Sequence, residues 1–124
     1  MKQDNFIKRL FRKPAILFVT LWANRTFRQG VEAAEKRHEK EGWTIYLAAD
    51  SFHPDRLVTY NKEQFKIEKR VYGMAARLLT MNTLRSGCYY HTAGKNGAGE
   101  LTKREKEIRR KAFVKERLRI AKLI

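Results

Sequence analysis

The sequence has a single cysteine, Cys88, and only two prolines among its 124 residues. One cysteine cannot form a disulfide within the chain, so a disulfide framework is excluded and a reducing compartment is the simplest expectation. Carboxylates are also scarce, with 13 Asp and Glu against 28 Lys and Arg. This imbalance excludes an acidic surface and makes positive charge the dominant feature of the chain.

Long apolar runs are absent as well. The main run, residues 15–23, is less than half of the ~20 residues that a transmembrane helix needs. Basic residues precede it, as in a secretory signal, but Arg25 and Arg28 follow it at once, and Leu21 is unsuitable for cleavage after Ala23. We therefore expect this run to begin a buried helix, and we expect the protein in the cytoplasm or within a particle.

The overall composition is that of a folded domain with an unusual charge. Hydrophobic residues make up 43% and charged residues 33% of the chain, which excludes both a disordered tail and a membrane protein. The net charge of +15 exceeds the roughly 2–8 that a small domain needs for solubility. A solvated basic surface is the ordinary explanation, but the excess favours a face that binds a polyanion. Nucleic acid is the commonest such partner.

The charge is concentrated at the two ends of the sequence. Residues 1–30 carry a net charge of +6 and residues 101–124 carry +7, whereas residues 31–61 carry −2 and residues 62–100 carry +4. If the two ends lie side by side in the fold, they form one basic patch. If they lie apart, the protein can bridge two acidic surfaces.

The spacing of apolar residues predicts an α+β fold: a small antiparallel sheet packed on one long central helix, with basic helices at both termini. All elements belong to one domain, 1–124. Residues 62–72 also fit a strand, and residues 88–92 fit a short third strand. The predicted elements are a short basic amphipathic helix (4–12), a long helix beginning with Pro14 (14–41), a β-hairpin (43–60), a helical segment (62–86), a mobile glycine-rich linker (94–100) and a basic C-terminal helix (103–123).

Local signals mark the ends and faces of these helices. Gly42 stands where a C-terminal cap belongs, and Thr102 precedes Glu105 with the spacing of a capping box. Apolar residues on nearly every side of the first half of the long helix predict deep burial there. The inner stripe of that helix is predicted at Ile16, Ala23, Phe27, Val31, Ala34 and His38, and the inner face of the last helix at Ile108, Ala112, Leu118 and Ala121, with Phe113 and Ile120 beside it.

The C-terminal helix is the strongest functional candidate in the sequence. A helix with cations around most of its circumference can follow a phosphate backbone, and arginine can bind phosphate through two hydrogen bonds. No pattern typical of base readout accompanies it, so contact with the backbone is expected. The predicted polyanion-binding residues are Lys103, Arg104, Lys106, Arg109, Arg110, Lys111, Lys115, Arg117, Arg119 and Lys122, together with Lys8, Arg9, Arg12 and Lys13.

Motifs for catalysis, cofactors and metals are incomplete. The glycines of residues 94–99 fit neither the P-loop nor the dinucleotide-binding order. Cys88 and His91 have the spacing of half a metal site, but no second pair of ligands follows. The acidic residues and histidine of the loop 50–55 lack the downstream acidic-x-Lys partner of a metal nuclease. We therefore predict no catalytic residue, no cofactor and no metal.

Three function classes remain. The leading hypothesis is a non-enzymatic structural or assembly protein that contacts nucleic acid or an acidic protein surface, alongside other subunits of a larger particle such as a viral or phage virion or a ribonucleoprotein. The second is a small metal-independent ribonuclease or toxin-like enzyme that uses Arg85, Tyr89, Tyr90, His91 and Lys95. The third is a peripheral membrane protein anchored by the basic and apolar residues 6–23.

Overall fold

The computed structural model describes residues 2–50, 56–71, 85–95 and 97–124. A long N-terminal helix and a C-terminal helix pack with a three-stranded antiparallel sheet, so the predicted α+β fold is confirmed. The elements in chain order are α1 (Lys2–Glu41), β1 (Tyr46–Ala49), β2 (Leu57–Tyr60), α2 (Lys62–Val71), β3 (Tyr90–His91) and α3 (Lys103–Ile120).

The central strand of the sheet is β1, and the strand order is β2-β1-β3. Tyr46 lies opposite Tyr60 on β2 and opposite His91 on β3, and both pairings are antiparallel. The predicted pairing of the two hairpin strands is therefore confirmed, and the third strand exists. Residues 51–55 of the predicted hairpin lie outside the described residues.

Helix α1 runs without interruption through Pro14, so the prediction of two separate helices over 4–12 and 14–41 is wrong. Proline holds φ near the helical value, but it lacks the N–H that would bond to the carbonyl of Leu10, and its ring crowds that carbonyl. A proline therefore penalises a helix without having to end it. The C-terminus of α1 is as predicted: Gly42 has a φ of +76° and donates its N–H to the carbonyl of His38 at 2.7 Å.

The core lies where α1 crosses the sheet and meets α3. Ala23, Phe27 and Ala34 of the predicted inner stripe are buried and pack with Ile45 and Leu47, which are fully buried. Gly30 permits this close packing, because a Cβ atom there would lie 2.9 Å from the Leu47 side chain.

The opposite side of α1 is exposed along its first half, so the prediction of deep burial is wrong. The exposed fractions are 65% for Phe11, 60% for Leu17, 70% for Phe18 and 62% for Leu21. The sheet and α3 cover only one side of α1, and no other described element covers the other side. We call these four residues the outer apolar face. No helix in the described ranges is long and apolar enough to cross a membrane.

Helix α2 begins with a capping box: the Asn61 side chain accepts the N–H of Gln64, and the Gln64 side chain accepts the N–H of Asn61. Residues 62–71 are helical, which removes the strand alternative for them. Arg37 of α1 donates to the carbonyl of Thr59 at 2.9 Å, and this hydrogen bond connects α1 to β2. Residues 72–84 of the predicted helical segment 62–86 lie outside the described residues.

The glycine-rich segment 94–100 differs from the predicted mobile linker. Gly94 donates its N–H to the carbonyl of Ala98, and Gly97 donates to the carbonyl of Gly94. The described residues of the segment therefore form a hydrogen-bonded turn. Leu101, which is buried, follows this turn and fixes the start of α3 against the core.

Helix α3 has the predicted N-terminal cap, in which the Thr102 hydroxyl accepts the N–H of Glu105 at 3.2 Å. Its inner face differs from the prediction, because Phe113 is the buried residue and Ile108 is 56% exposed. Ala112 and Ala121 are also exposed. Arg109 and Arg110 lie beside Phe113 on the inner side and reach polar partners within the protein. Val114, which is partly buried, packs against the core next to Phe113.

Candidate nucleic-acid interface

Helices α1 and α3 pack antiparallel, which brings the two basic ends of the chain together. The ring centroids of Phe27 and Phe113 are 5.8 Å apart. Farther along, Arg117 lies over Trp22, and Arg12 donates its Nε–H to the carbonyl of Leu123 at 3.1 Å. The basic segment of α1 around Arg12 therefore lies beside the end of α3.

Part of the predicted polyanion-binding set forms contacts within the protein. Arg109 donates to the carbonyls of Cys88 at 2.6 Å and Arg85 at 3.1 Å. The other internal contacts are those of Arg110 with Asn24 and Glu107, Lys106 with Glu100, Arg117 with Trp22 and Arg119 with Glu116. These five cations contact other parts of the protein or have a carboxylate beside them, so they are less available to an external anion.

The remaining cations of α3 are exposed, and no carboxylate among the described residues forms an ion pair with them. They are Lys103, Arg104, Lys111 and Lys115, and Lys122, which follows the end of α3, is exposed as well. Among the N-terminal residues of the predicted set, Arg12 and Lys13 are exposed, and the side chains of Lys8 and Arg9 lie outside the described residues.

Three of the exposed cations form a line along α3, which we call the outer basic stripe: Arg104, Lys111 and Lys115. At about 100° per residue their positions fall within about 40° of one another, on the side of the helix opposite Phe113. The stripe extends over about 16 Å at ~1.5 Å per residue. A single DNA strand has one phosphate per ~3.4 Å of axis, so this length corresponds to about five phosphates.

The guanidinium group of Arg117 lies in an unfavourable position between the two helices. Its Cζ atom is 4.8 Å from the centroid of the Trp22 ring, and its Nε and Nη1 atoms are buried without a hydrogen-bond partner in the described residues. A cation–π contact stabilises the folded state by about 0.5–2 kcal/mol, whereas each buried unsatisfied donor destabilises it by about 1–3 kcal/mol. On this balance we expect Arg117 to lower the stability of the fold.

Replacing Arg117 with methionine should stabilise the protein. We expect the free energy of unfolding of Arg117→Met to rise by about 1 kcal/mol, because the apolar side chain keeps the packing against Trp22 without buried donors. Urea denaturation followed by circular dichroism measures the change. Arg104→Met, at an exposed position of the same helix, is the control and should change stability by less than about 0.5 kcal/mol. A loss of stability in Arg117→Met would show that the cation–π contact outweighs the unsatisfied donors.

The residues of the predicted ribonuclease site are distributed over several structural contacts. Tyr90 donates its hydroxyl to Glu35, Tyr89 packs edge-on against Phe113, and Lys95 lies over the ring of Trp43. Burial and the hydrogen bond to Glu35 raise the pKa of Tyr90, which keeps the phenol protonated. Three of the five residues of the predicted ribonuclease site therefore form structural contacts with other side chains.

Arg85 and His91 do share a polar cavity of about 370 Å³, which also includes Glu105 and Arg109. Sequence inspection had not connected Glu105 and Arg109 with His91, because both belong to α3. His91 is nevertheless only 3% exposed, and its Nδ1 lies 3.1 Å from the carbonyl of Thr92. Burial raises the pKa of the adjacent Cys88 thiol. Among the described residues, no three His, Cys, Asp or Glu side chains are grouped to hold a metal ion.

His91 should make the stability depend on pH. Burial lowers its pKa, and the charges of Arg109 and Arg85 act in the same direction. Below pH ~6.5 the unfolded chain binds a proton at this residue, whereas the folded protein does so only at lower pH. The unfolded state then holds more protons, so the free energy of unfolding should fall as the pH drops below ~6.5.

Urea denaturation at a series of pH values between neutrality and pH ~5 tests this expectation. His91→Gln should show a flatter dependence over that window, because glutamine binds no proton. Equal slopes for wild type and His91→Gln would mean that His91 does not contribute to the effect.

The fold and this surface define an α+β protein whose C-terminal helix exposes Arg104, Lys111 and Lys115 in one line. Comparison with protein-family models, with curated proteins and with solved structures gives no match.

Proposed function

We propose that the protein is a non-enzymatic assembly protein that binds the phosphate backbone of nucleic acid through the outer basic stripe. The observation that carries this proposal is the division of the α3 cations into two groups. Arg109, Arg110 and Arg117 face inward and contact other parts of the protein. Arg104, Lys111 and Lys115 face solvent in one line and form no ion pair with a described carboxylate.

A rigid line of cations suits a phosphate backbone for two reasons. The helix holds the charges at fixed spacing, so binding does not have to order a flexible segment. Each phosphate contact releases condensed counterions, which supplies most of the free energy of non-specific binding. Arg12 and Lys13 are exposed and lie towards the end of α3, so they add positive charge at that end of the helix pair.

The absence of a base-reading arrangement on the outer basic stripe predicts binding without sequence preference. Fluorescence anisotropy with labelled duplex DNA and RNA, each in two unrelated sequences, tests this at low salt. We expect the dissociation constants for the two sequences of each type to agree within about threefold, because phosphate contacts carry no sequence information. No binding to any of the four at low salt would contradict the proposal and would leave an acidic protein surface as the partner of the stripe.

A further inference from the structure

The outer apolar face of α1 is too concentrated to be ordinary exposed surface. Phe11, Leu17, Phe18 and Leu21 lie within about 120° of one another around the helix, on the side that faces away from the buried Ala23. They extend over about 15 Å of the axis at ~1.5 Å per residue. Single exposed apolar residues are normal, but a continuous group of large ones marks an interaction site.

A groove continues this face towards α3. It has a volume of about 600 Å³ and is lined by apolar side chains of Leu21, Phe27 and Val31, with Asn24 beside them. Leu21 belongs both to the groove and to the outer apolar face, so the two form one surface. The cations that line the groove are Arg25, Arg28 and Arg110.

The charge around this surface has one sign. Residues 11–31 contain four basic residues and no Asp or Glu. No carboxylate among the described residues forms an ion pair with Arg25 or Arg28. A partner with acidic groups beside apolar groups would therefore complement both the positive charge and the apolar character of this surface.

We propose that the outer apolar face and its groove bind an acidic amphipathic helix of a partner protein. Such a helix places apolar side chains at i, i+3, i+4 and i+7 on one side, where they can reach Phe18, Leu21 and the groove. Its carboxylates would lie beside Arg25 and Arg28. The outer basic stripe contributes no residue to this surface, so the protein would hold nucleic acid and a partner protein at separate places.

Two other occupants fit the surface less well. A second copy of the chain would bring the same four cations of residues 11–31 against themselves in a symmetric contact. A bilayer is flat on this scale and cannot fill a concave groove, and Arg25 and Arg28 interrupt the apolar surface beyond Leu21. A helix of ~10 Å diameter fits both the outer apolar face and the groove beside it.

Selection from a displayed library of helix-forming peptides about 20 residues long, on the immobilised full-length protein, tests the proposal. The test variant is Phe18→Gln/Leu21→Gln, which keeps every charge. The matched control is Ile67→Gln/Ile108→Gln, since these isoleucines are 59% and 56% exposed outside this surface. We expect the enriched peptides to be acidic with apolar residues at helical spacing. Their affinity should fall at least about tenfold in the test variant and stay within about twofold in the control.

Four results would overturn the proposal. The first is that no peptide is enriched. The second is that the enriched peptides bind the test variant with the same affinity as they bind wild type. The third is that no peptide is enriched but wild type binds phosphatidylcholine–phosphatidylserine vesicles and the test variant does not. This result would identify a lipid surface as the partner. The fourth is dimerisation, measured by light scattering and lost in the test variant, which would identify a second copy. Because the test variant retains the outer basic stripe, its nucleic-acid affinity should be unchanged, so this proposal and the proposed function can fail separately.

Discussion

Replacing Phe113 with alanine should lower the free energy of unfolding by about 3–5 kcal/mol, the range for removing a buried aromatic side chain. Phe113 is 2% exposed and is the largest fully buried side chain of the described residues. Its ring contacts Phe27 of α1 and packs edge-on against Tyr89 at 5.2 Å. The substitution therefore leaves a cavity where α1, α3 and the segment before β3 meet.

Such a loss is large for a domain of this size, whose total stability is expected at about 5–15 kcal/mol. Urea denaturation measures it, with Ile108→Ala as the control on the exposed side of the same helix. The control should change stability by less than about 0.5 kcal/mol. If both variants lose the same free energy, Phe113 is not the residue that fixes α3 to the core.

Reversing the outer basic stripe should weaken nucleic-acid binding by about 10²–10³-fold near 0.1 M salt. The variant is Arg104→Glu/Lys111→Glu/Lys115→Glu. Each phosphate contact contributes about 0.9 to the salt exponent, so losing three contacts removes between two and three powers of ten at that salt concentration. The three side chains are exposed, so the fold should tolerate the change.

The matched control reverses three exposed lysines away from the stripe, in Lys36→Glu/Lys62→Glu/Lys66→Glu. Both triple variants lower the net charge from +15 to +9, since each replacement changes it by two units. The control should lose less than about tenfold in affinity, because only long-range attraction is reduced. An equal loss in the two variants would show that total charge matters and the stripe does not.

Features that depend on neighbouring residues in the sequence could be predicted. Gly42 and Thr102 were recognised as caps because a cap is a local arrangement of side chain and backbone. The burial of Ile45 and Leu47 follows from alternation along a strand. The stripe of α1 through Ala23, Phe27 and Ala34 was predicted from helical spacing for the same reason.

Features that depend on distant partners could not be predicted. Arg109 and Arg117 are charged, so apolar periodicity places them outside, yet Arg109 donates to the carbonyl of Cys88 and Arg117 lies over the ring of Trp22 on the inner side of α3. Apolar periodicity therefore predicts Ile108 on the inner face of α3. For the same reason the predicted polyanion-binding set includes five cations that have contacts within the protein. The exposure of Phe18 and Leu21 was missed because hydrophobicity alone does not reveal that only one side of α1 is covered.

The salt dependence of nucleic-acid binding tests the central claim most directly. The logarithm of the affinity of wild-type protein for duplex DNA should fall linearly with the logarithm of salt concentration. The slope should become less steep by about 2.7 in Arg104→Glu/Lys111→Glu/Lys115→Glu, corresponding to ~0.9 for each of three phosphate contacts. The same slope in wild type and in this variant would contradict the claim, because the outer basic stripe would then not contact the phosphates.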